Sequence, residues 1–112
     1  MNFDKDIAAS AKPVLLFFSA KWCGPSNYTR PDVEDALPDL TGVKYYEIDI
    51  EQHPDIAQRL QVKALPWLAL VKDGQCLGSR LGTVDGWKQV VAWTDGLLNP
   101  PEPTKKKRKG KK

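Results

Sequence analysis

The chain has 112 residues, 41% of them hydrophobic, and a net charge of +3. This indicates one globular domain whose core needs no disulfide or metal, and it argues against wholesale disorder. The charge is divided unequally: residues 104–112 hold seven basic and no acidic residues, whereas residues 1–103 hold ten basic and fourteen acidic ones, a net −4. A uniformly basic nucleic-acid-binding domain is therefore excluded. We predict a mildly acidic domain over 1–99 and a disordered Pro/Lys-rich basic tail over 100–112.

The first ten residues predict a short helix, and an apolar strand follows it. Phe3, Ile7 and Ala11 recur every fourth residue, which is typical of an amphipathic helix over 3–11. Residues 14–18 (VLLFF) are uninterrupted apolar residues, which indicates a strand covered on both faces. That run is too short to span a membrane, and the start lacks the basic and apolar regions of a secretory signal. We therefore expect a cytoplasmic protein with no membrane association.

The next part of the chain predicts helix, strand and helix. Pro25 suits the first turn of a helix, and Pro31 falls inside that helix, where it predicts a kink. Residues 43–50 (VKYYEIDI) are rich in β-forming residues and predict a second strand. Residues 55–62 (DIAQRLQV) have the spacing of a short amphipathic helix.

The last part predicts a hairpin and a final helix. Strands over 65–71 and 76–81 flank the turn signal KDGQ at 72–75. Asp85 is a candidate N-cap for the helix that follows. The apolar residues of that helix are Trp87, Val90, Val91, Thr94, Leu97 and Leu98. This element order predicts an α/β fold with a central four-stranded mixed sheet flanked by helices on both faces.

Cys23 lies where the first strand passes into the second helix. The N-terminus of a helix supplies partial positive charge and free N–H groups, so we expect a lowered pKa for the Cys23 thiol. Gly24 and Pro25 permit the tight turn, and Ser26, one helical turn on, is positioned to donate a hydrogen bond to the thiolate. Trp22 is expected to shield one side. Such a thiolate is a nucleophile toward disulfides.

The stretch FFSAKWCGPS (17–26) resembles the active site of the thioredoxin family, most closely the eukaryotic form F-S-A-x-W-C-G-P. The resemblance covers residues 3–98. It implies a thioredoxin-like fold and thiol–disulfide exchange with disulfide- or thiol-containing protein substrates, with Cys23 as the nucleophile and no metal or organic cofactor.

The same resemblance implies a substrate-binding region far from Cys23 in the sequence. Pro66 occupies the position of the family's cis-proline, which lies beside the active cysteine, and the backbone of its neighbour Leu65 is expected to pair with a bound substrate peptide. Gly82 matches the glycine that lines the substrate groove. Trp67 stands where the family most often has threonine, and it is expected to enlarge and flatten the substrate platform.

Two further departures from the family pattern concern resolution of a mixed disulfide. The family's second cysteine is Ser26 here, so Cys23 is expected to form mixed disulfides that glutathione, a reductase or a second substrate thiol must resolve. Phe17 replaces a buried aspartate that accepts a proton from the second cysteine. Ser26 is either natural, in a CxxS site with residual isomerase-like exchange, or an engineered replacement of the resolving cysteine that traps mixed disulfides. Phe17 favours the natural variant, because a trap would change only one residue.

Two readings outside disulfide exchange stay open. The chain is alternatively a redox-silent binding module that holds a partner on the surface around Trp22, Pro66 and Trp67. The tail, PTKKKRKGKK, resembles a lysine-rich nuclear localisation signal that an import carrier reads. It is alternatively a nonspecific contact for nucleic acid or an appended sequence. Cys76 is expected to be a buried, inert residue too distant to bridge to Cys23.

Overall fold

The computed structural model describes residues 1–99, and the basic tail lies outside the described residues, together with the predictions made for it. A short π-type helix, Phe3–Ala8, precedes the first strand. The strands are β1 Val14–Ser19, β2 Lys44–Asp49, β3 Trp67–Lys72 and β4 Gln75–Leu81. The longer helices are α1 Gly24–Ala36, α2 Pro54–Arg59 and α3 Trp87–Leu98, and a 3₁₀ turn, Leu37–Asp39, follows α1.

The four strands form one mixed sheet in the order β2-β1-β3-β4. β1 runs parallel to β2 and antiparallel to β3, and β4 closes the sheet as the hairpin partner of β3. The parallel pair requires a crossover, which α1 supplies. The predicted α/β fold with a four-stranded mixed sheet is therefore confirmed.

Every residue of β1 is buried, because helices cover both faces of the sheet. Val14, Leu16 and Phe18 pack toward the first helix and α2. Leu15 and Phe17 pack toward α1 and α3 on the other face. This accounts for the uninterrupted apolar run that predicted the strand.

The helices end or begin differently from the prediction at three places. The first helix stops at Ala8 instead of 11, since the Ser10 hydroxyl donates to the Lys12 carbonyl (2.8 Å) and forms a local turn that competes with the helix. α2 ends at Arg59, and Gln61 just beyond it has a positive φ of 57°. The final helix is not capped by Asp85, because Gly86, with a φ of 101°, takes the cap position.

The β3–β4 hairpin fixes where Cys76 lies. Asp73 and Gly74 both have positive φ, as a two-residue hairpin turn requires. Cys76 pairs with Val71, roughly 14 Å along β3 from Trp67, given a rise of about 3.4 Å per residue. The prediction that Cys76 is buried is wrong: it is exposed on an edge strand, where one side of the backbone has no partner strand. Cys23 and Cys76 are both free thiols.

Candidate active site

Cys23 occupies the cap position of α1. Its backbone N–H donates to the carbonyl of Ala20 (3.1 Å), and its carbonyl accepts from the N–H of Asn27 (3.3 Å). Pro25 contributes no N–H to the first turn, and the remaining first-turn N–H groups have no intrahelical acceptor. Within residues 1–99 Cys23 is buried, with 7% of the residue exposed, and its side chain makes no capping hydrogen bond.

Ser26 lies fully buried one turn after Cys23. Its hydroxyl has no hydrogen-bond partner among the described residues, so the hydrogen bond predicted from Ser26 to Cys23 is not formed. A buried hydroxyl without a partner costs about 1–3 kcal/mol. The turn therefore offers one thiol and an unpaired hydroxyl where a dithiol site has its second sulfur.

Pro66 and Gly82 meet at the same end of the sheet as Cys23. The Leu65–Pro66 peptide bond is cis. The N–H of Gly82 donates to the Pro66 carbonyl at 2.7 Å, and a Cβ at Gly82 would lie 3.1 Å from the carbonyl carbon of Pro66. Only glycine allows this approach without displacing the proline.

An apolar cavity of about 360 Å³ opens beside Cys23. The cavity lies between the turn before α1, α2 and the segment before Pro66. Its lining residues are Trp22, Cys23, Ile50, Ala57, Val62, Lys63, Ala64 and Leu65. Sequence analysis had singled out only three of these. The backbone N–H and carbonyl of Leu65 make no backbone–backbone hydrogen bond within residues 1–99.

Trp22 and Trp67 lie in different surroundings within the described residues. Trp67 packs against the core on the α2 face and does not line the apolar cavity. Trp22 is 66% exposed, and its indole N–H donates to the Glu51 carboxylate at 3.0 Å. The indole therefore stands at the rim of the site, held by this hydrogen bond. Phe17 is fully buried against the α1 and α3 face, so no carboxylate lies at that position.

A polar network that sequence analysis did not detect lies between α1 and the ends of β1 and β2. The Glu47 carboxylate accepts from the Ser19 hydroxyl (2.7 Å) and from Arg30 through Nε (2.9 Å) and an outer guanidinium nitrogen (2.7 Å). Arg30 also donates to the Asn27 side chain at 3.0 Å. Hydrogen bonding from Arg30, aided by Ser19 and opposed by burial, holds the pKa of Glu47 below its ordinary value.

This network faces a second cavity, of about 490 Å³, whose described lining is entirely polar: Ser19, Lys21, Asn27, Arg30, Glu47, Asp49, Gln52 and His53. Within residues 1–99 no cluster of three histidine, cysteine or acidic side chains could hold a metal ion. In the same part of the chain, every helix is too short or too polar to cross a bilayer.

Comparison with known proteins agrees with this geometry. The family model described as Thioredoxin matches residues 1–94. Thioredoxin of Mycobacterium tuberculosis (strain H37Rv) is 39% identical over 75 residues, 66% of this chain and 65% of that protein. A thioredoxin-like protein of Synechocystis is 40% identical over 75 residues, 66% of this chain and 71% of the relative. The chain thus spans slightly less than two thirds of the mycobacterial relatives' length.

Two solved structures share the fold. Fasciola hepatica thioredoxin superposes with a TM-score of 0.68 at 23% identity, over 77% of this chain and 81% of the other. A chain from work on the thiol resolving mechanism in yeast mitochondrial 1-Cys peroxiredoxin via glutathione/thioredoxin systems gives a TM-score of 0.66 at 29% identity, over 80% of both chains.

Proposed function

Because the chain belongs to the thioredoxin family, we propose that it exchanges thiols and disulfides with protein substrates and that Cys23 is the nucleophile. The observation that carries this proposal is the position of Cys23 at the start of α1, where the residue lines an apolar cavity. The cavity can receive a side chain next to a substrate disulfide. The unpaired backbone of Leu65 can align the substrate in extended form.

The proposed reaction has two steps. The Cys23 thiolate attacks one sulfur of a substrate disulfide, so that a Cys23–substrate bond forms and the other substrate sulfur leaves as a thiolate. Because Ser26 supplies no second thiol, the mixed disulfide persists until an external thiolate attacks the Cys23–substrate bond and releases Cys23. That thiolate is a second cysteine of the substrate, a reductase thiol, or glutathione. The structural neighbour connected with thiol resolution through glutathione/thioredoxin systems supports an external resolving thiol.

The proposal is tested by replacing each cysteine in turn. Cys76 is an exposed free thiol that can itself form a mixed disulfide, so the test uses the Cys76→Ser background. In that background Cys23→Ser is expected to abolish mixed-disulfide formation with a peptide disulfide, read by mass spectrometry, whereas the Cys76→Ser chain alone is the matched control and keeps it. Ser26→Cys is the companion variant, and release of reduced peptide over many turnovers is expected once a second thiol is present. Exchange that survives in Cys23→Ser would overturn the proposal.

The second candidate is a redox-silent binding module, and one observation favours it. Trp22 and Tyr28 are large aromatic side chains, 66% and 82% exposed, on the turn and helix that carry Cys23. Exposed aromatic residues are typical contact residues of protein interfaces. The binding module is the correct function if the wild type exchanges no disulfide and the Cys23→Ser variant retains a partner as well as the wild type does.

A further inference from the structure

The hydrogen bonds around Glu47 connect the two ends of the segment that carries Cys23. Ser19, the last residue of β1, is buried and lies four residues before Cys23, and its hydroxyl donates to Glu47. Asn27 lies four residues after Cys23; its side chain accepts from Arg30, while its backbone N–H binds the Cys23 carbonyl. A side-chain bridge therefore runs from β1 through β2 to α1 across the base of the Cys23 turn.

The hydrogen bonds of this bridge restrict both the distance and the orientation of the side chains that form it. Arg30 presents two nitrogens to one carboxylate, the forked geometry that fixes orientation as well as distance. Glu47 also accepts a hydrogen bond from the Ser19 hydroxyl, so three donor atoms on two residues hold the carboxylate in place. The only other ion pair within residues 1–99, Arg59 with Asp4, has a single 3.3 Å contact and lies on the opposite face of the sheet.

We propose that Ser19, Glu47, Arg30 and Asn27 act together as positioning residues, a Glu47 clamp, that hold the first turns of α1 against the sheet and so fix the Cys23 sulfur at the apolar cavity. The clamp rests on the proposed function, because alignment matters only if Cys23 attacks a bound disulfide. None of the four touches the reacting sulfurs. A misplacement of about 1 Å can slow an aligned reaction by up to a hundredfold, so a modest shift of α1 is sufficient to be measured.

Two single variants distinguish positioning from an effect of charge. Arg30→Gln leaves the Glu47 carboxylate unpaired, whereas Glu47→Gln leaves the Arg30 cation unpaired, so a purely electrostatic influence on Cys23 has opposite signs in the two variants. The clamp predicts the same sign: both slow mixed-disulfide formation with a peptide disulfide by about tenfold. The double variant is expected to be no slower than either single one, because the residues act as a unit.

The rate constants are measured in the Cys76→Ser background, so that Cys23 is the only thiol, and well below the thermal midpoint of each variant. Asp4→Asn, which breaks the other ion pair, is the matched control and is expected to leave the rate unchanged. Arg30→Lys preserves the charge and loses the forked contact; the clamp predicts slowing in this variant too. Opposite signs in the two glutamine variants, or unchanged rates with only a lowered melting temperature, would overturn the clamp.

Alkylation of Cys23 by iodoacetamide separates failure of the clamp from failure of the proposed function. If the wild type is alkylated but exchanges with no disulfide, the proposed function fails, and the clamp is judged from alkylation alone. It then predicts that Arg30→Gln and Glu47→Gln shift the alkylation rate in the same direction. Opposite shifts or no shift in that assay would count against the clamp.

Discussion

Gly82 makes a close contact with Pro66 that a larger residue at this position would disturb. It donates its N–H to Pro66 at 2.7 Å, and the space that a Cβ needs is already occupied by the Pro66 backbone. The contact joins the end of β4 to the segment before β3. A side chain at this position therefore requires Pro66, and with it the neighbouring Leu65 backbone, to shift by a few tenths of an ångström.

Gly82→Ala is expected to destabilise the fold by about 1–3 kcal/mol, in the range of overpacked core substitutions. It should also slow mixed-disulfide formation, because Leu65 no longer aligns the peptide. Gly96→Ala is the control: its Cβ would meet nothing within 4 Å on α3, and the change should stabilise the helix by up to about 1 kcal/mol. Chemical denaturation and the exchange rate measure both effects, and equal stability changes in the two variants would contradict the contact.

At the scale of elements, the Glu47 clamp should also make the packing of α1 on β1 and β2 sensitive to acid. The folded-state pKa of Glu47 lies below its ordinary value of 4.5, mainly because of Arg30. A carboxyl with a depressed pKa contributes stability that is present above the unfolded pKa and is lost as pH falls through the folded pKa. The side chain is 30% exposed, so solvent screening limits the contribution to about 1 kcal/mol.

Glu47→Gln is therefore expected to lower the free energy of unfolding at pH 7 and to flatten its decline below pH 4.5. The measurement is urea denaturation at a series of pH values. Asp4→Asn, at the more exposed ion pair, provides the comparison for an acid-to-amide change on the other face of the sheet. A variant whose acid decline stays as steep as that of the wild type would show that Glu47 does not contribute to it.

The same elements show what the sequence could and could not predict. β1 was predictable because a strand that is buried on both faces requires apolar residues at successive positions, which appear in the sequence as an unbroken apolar run. The Cys23 turn was predictable because Gly24 and Pro25 carry local backbone signals. The bridge from Ser19 to Glu47 was not, since it joins residues 28 apart and depends on strand register. The α3 cap was missed because Gly86, not the side chain of Asp85, determines where the helix begins.

For the whole molecule, sheet topology brings distant parts of the sequence to one end. Cys23 follows the end of β1, Pro66 precedes the start of β3, and Gly82 follows the end of β4; the antiparallel pairing of β3 with both neighbours places these three points together. Family resemblance identified these residues from motifs. Ala57 is the one cavity residue that α2 contributes, and the packing of α2 on the sheet brings it to Cys23.

The two core clusters of the molecule, one on each face of the sheet, are built from residues between 3 and 98. Deleting residues 100–112 is therefore expected to change the free energy of unfolding by less than about 0.5 kcal/mol, as for substitutions remote from packed features. Exchange with an uncharged peptide disulfide should likewise be unchanged. The deletion leaves ten basic and thirteen acidic residues, so the net charge passes from +3 to −3.

Because the net charge changes sign, the shortened chain distinguishes the exchange activity of the domain from charge-dependent contacts of the tail. A nonspecific nucleic-acid contact in the deleted segment predicts that the full chain binds nucleic acid weakly and loses it as salt rises, whereas the shortened chain does not bind at all. Binding is measured at two salt concentrations, alongside urea denaturation of both chains. A large loss of stability on deletion would mean that the domain extends beyond Asn99. If salt-sensitive binding of nucleic acid persists without the segment, the contact lies in the described domain. There Lys21 and Lys63 each border one of the two cavities.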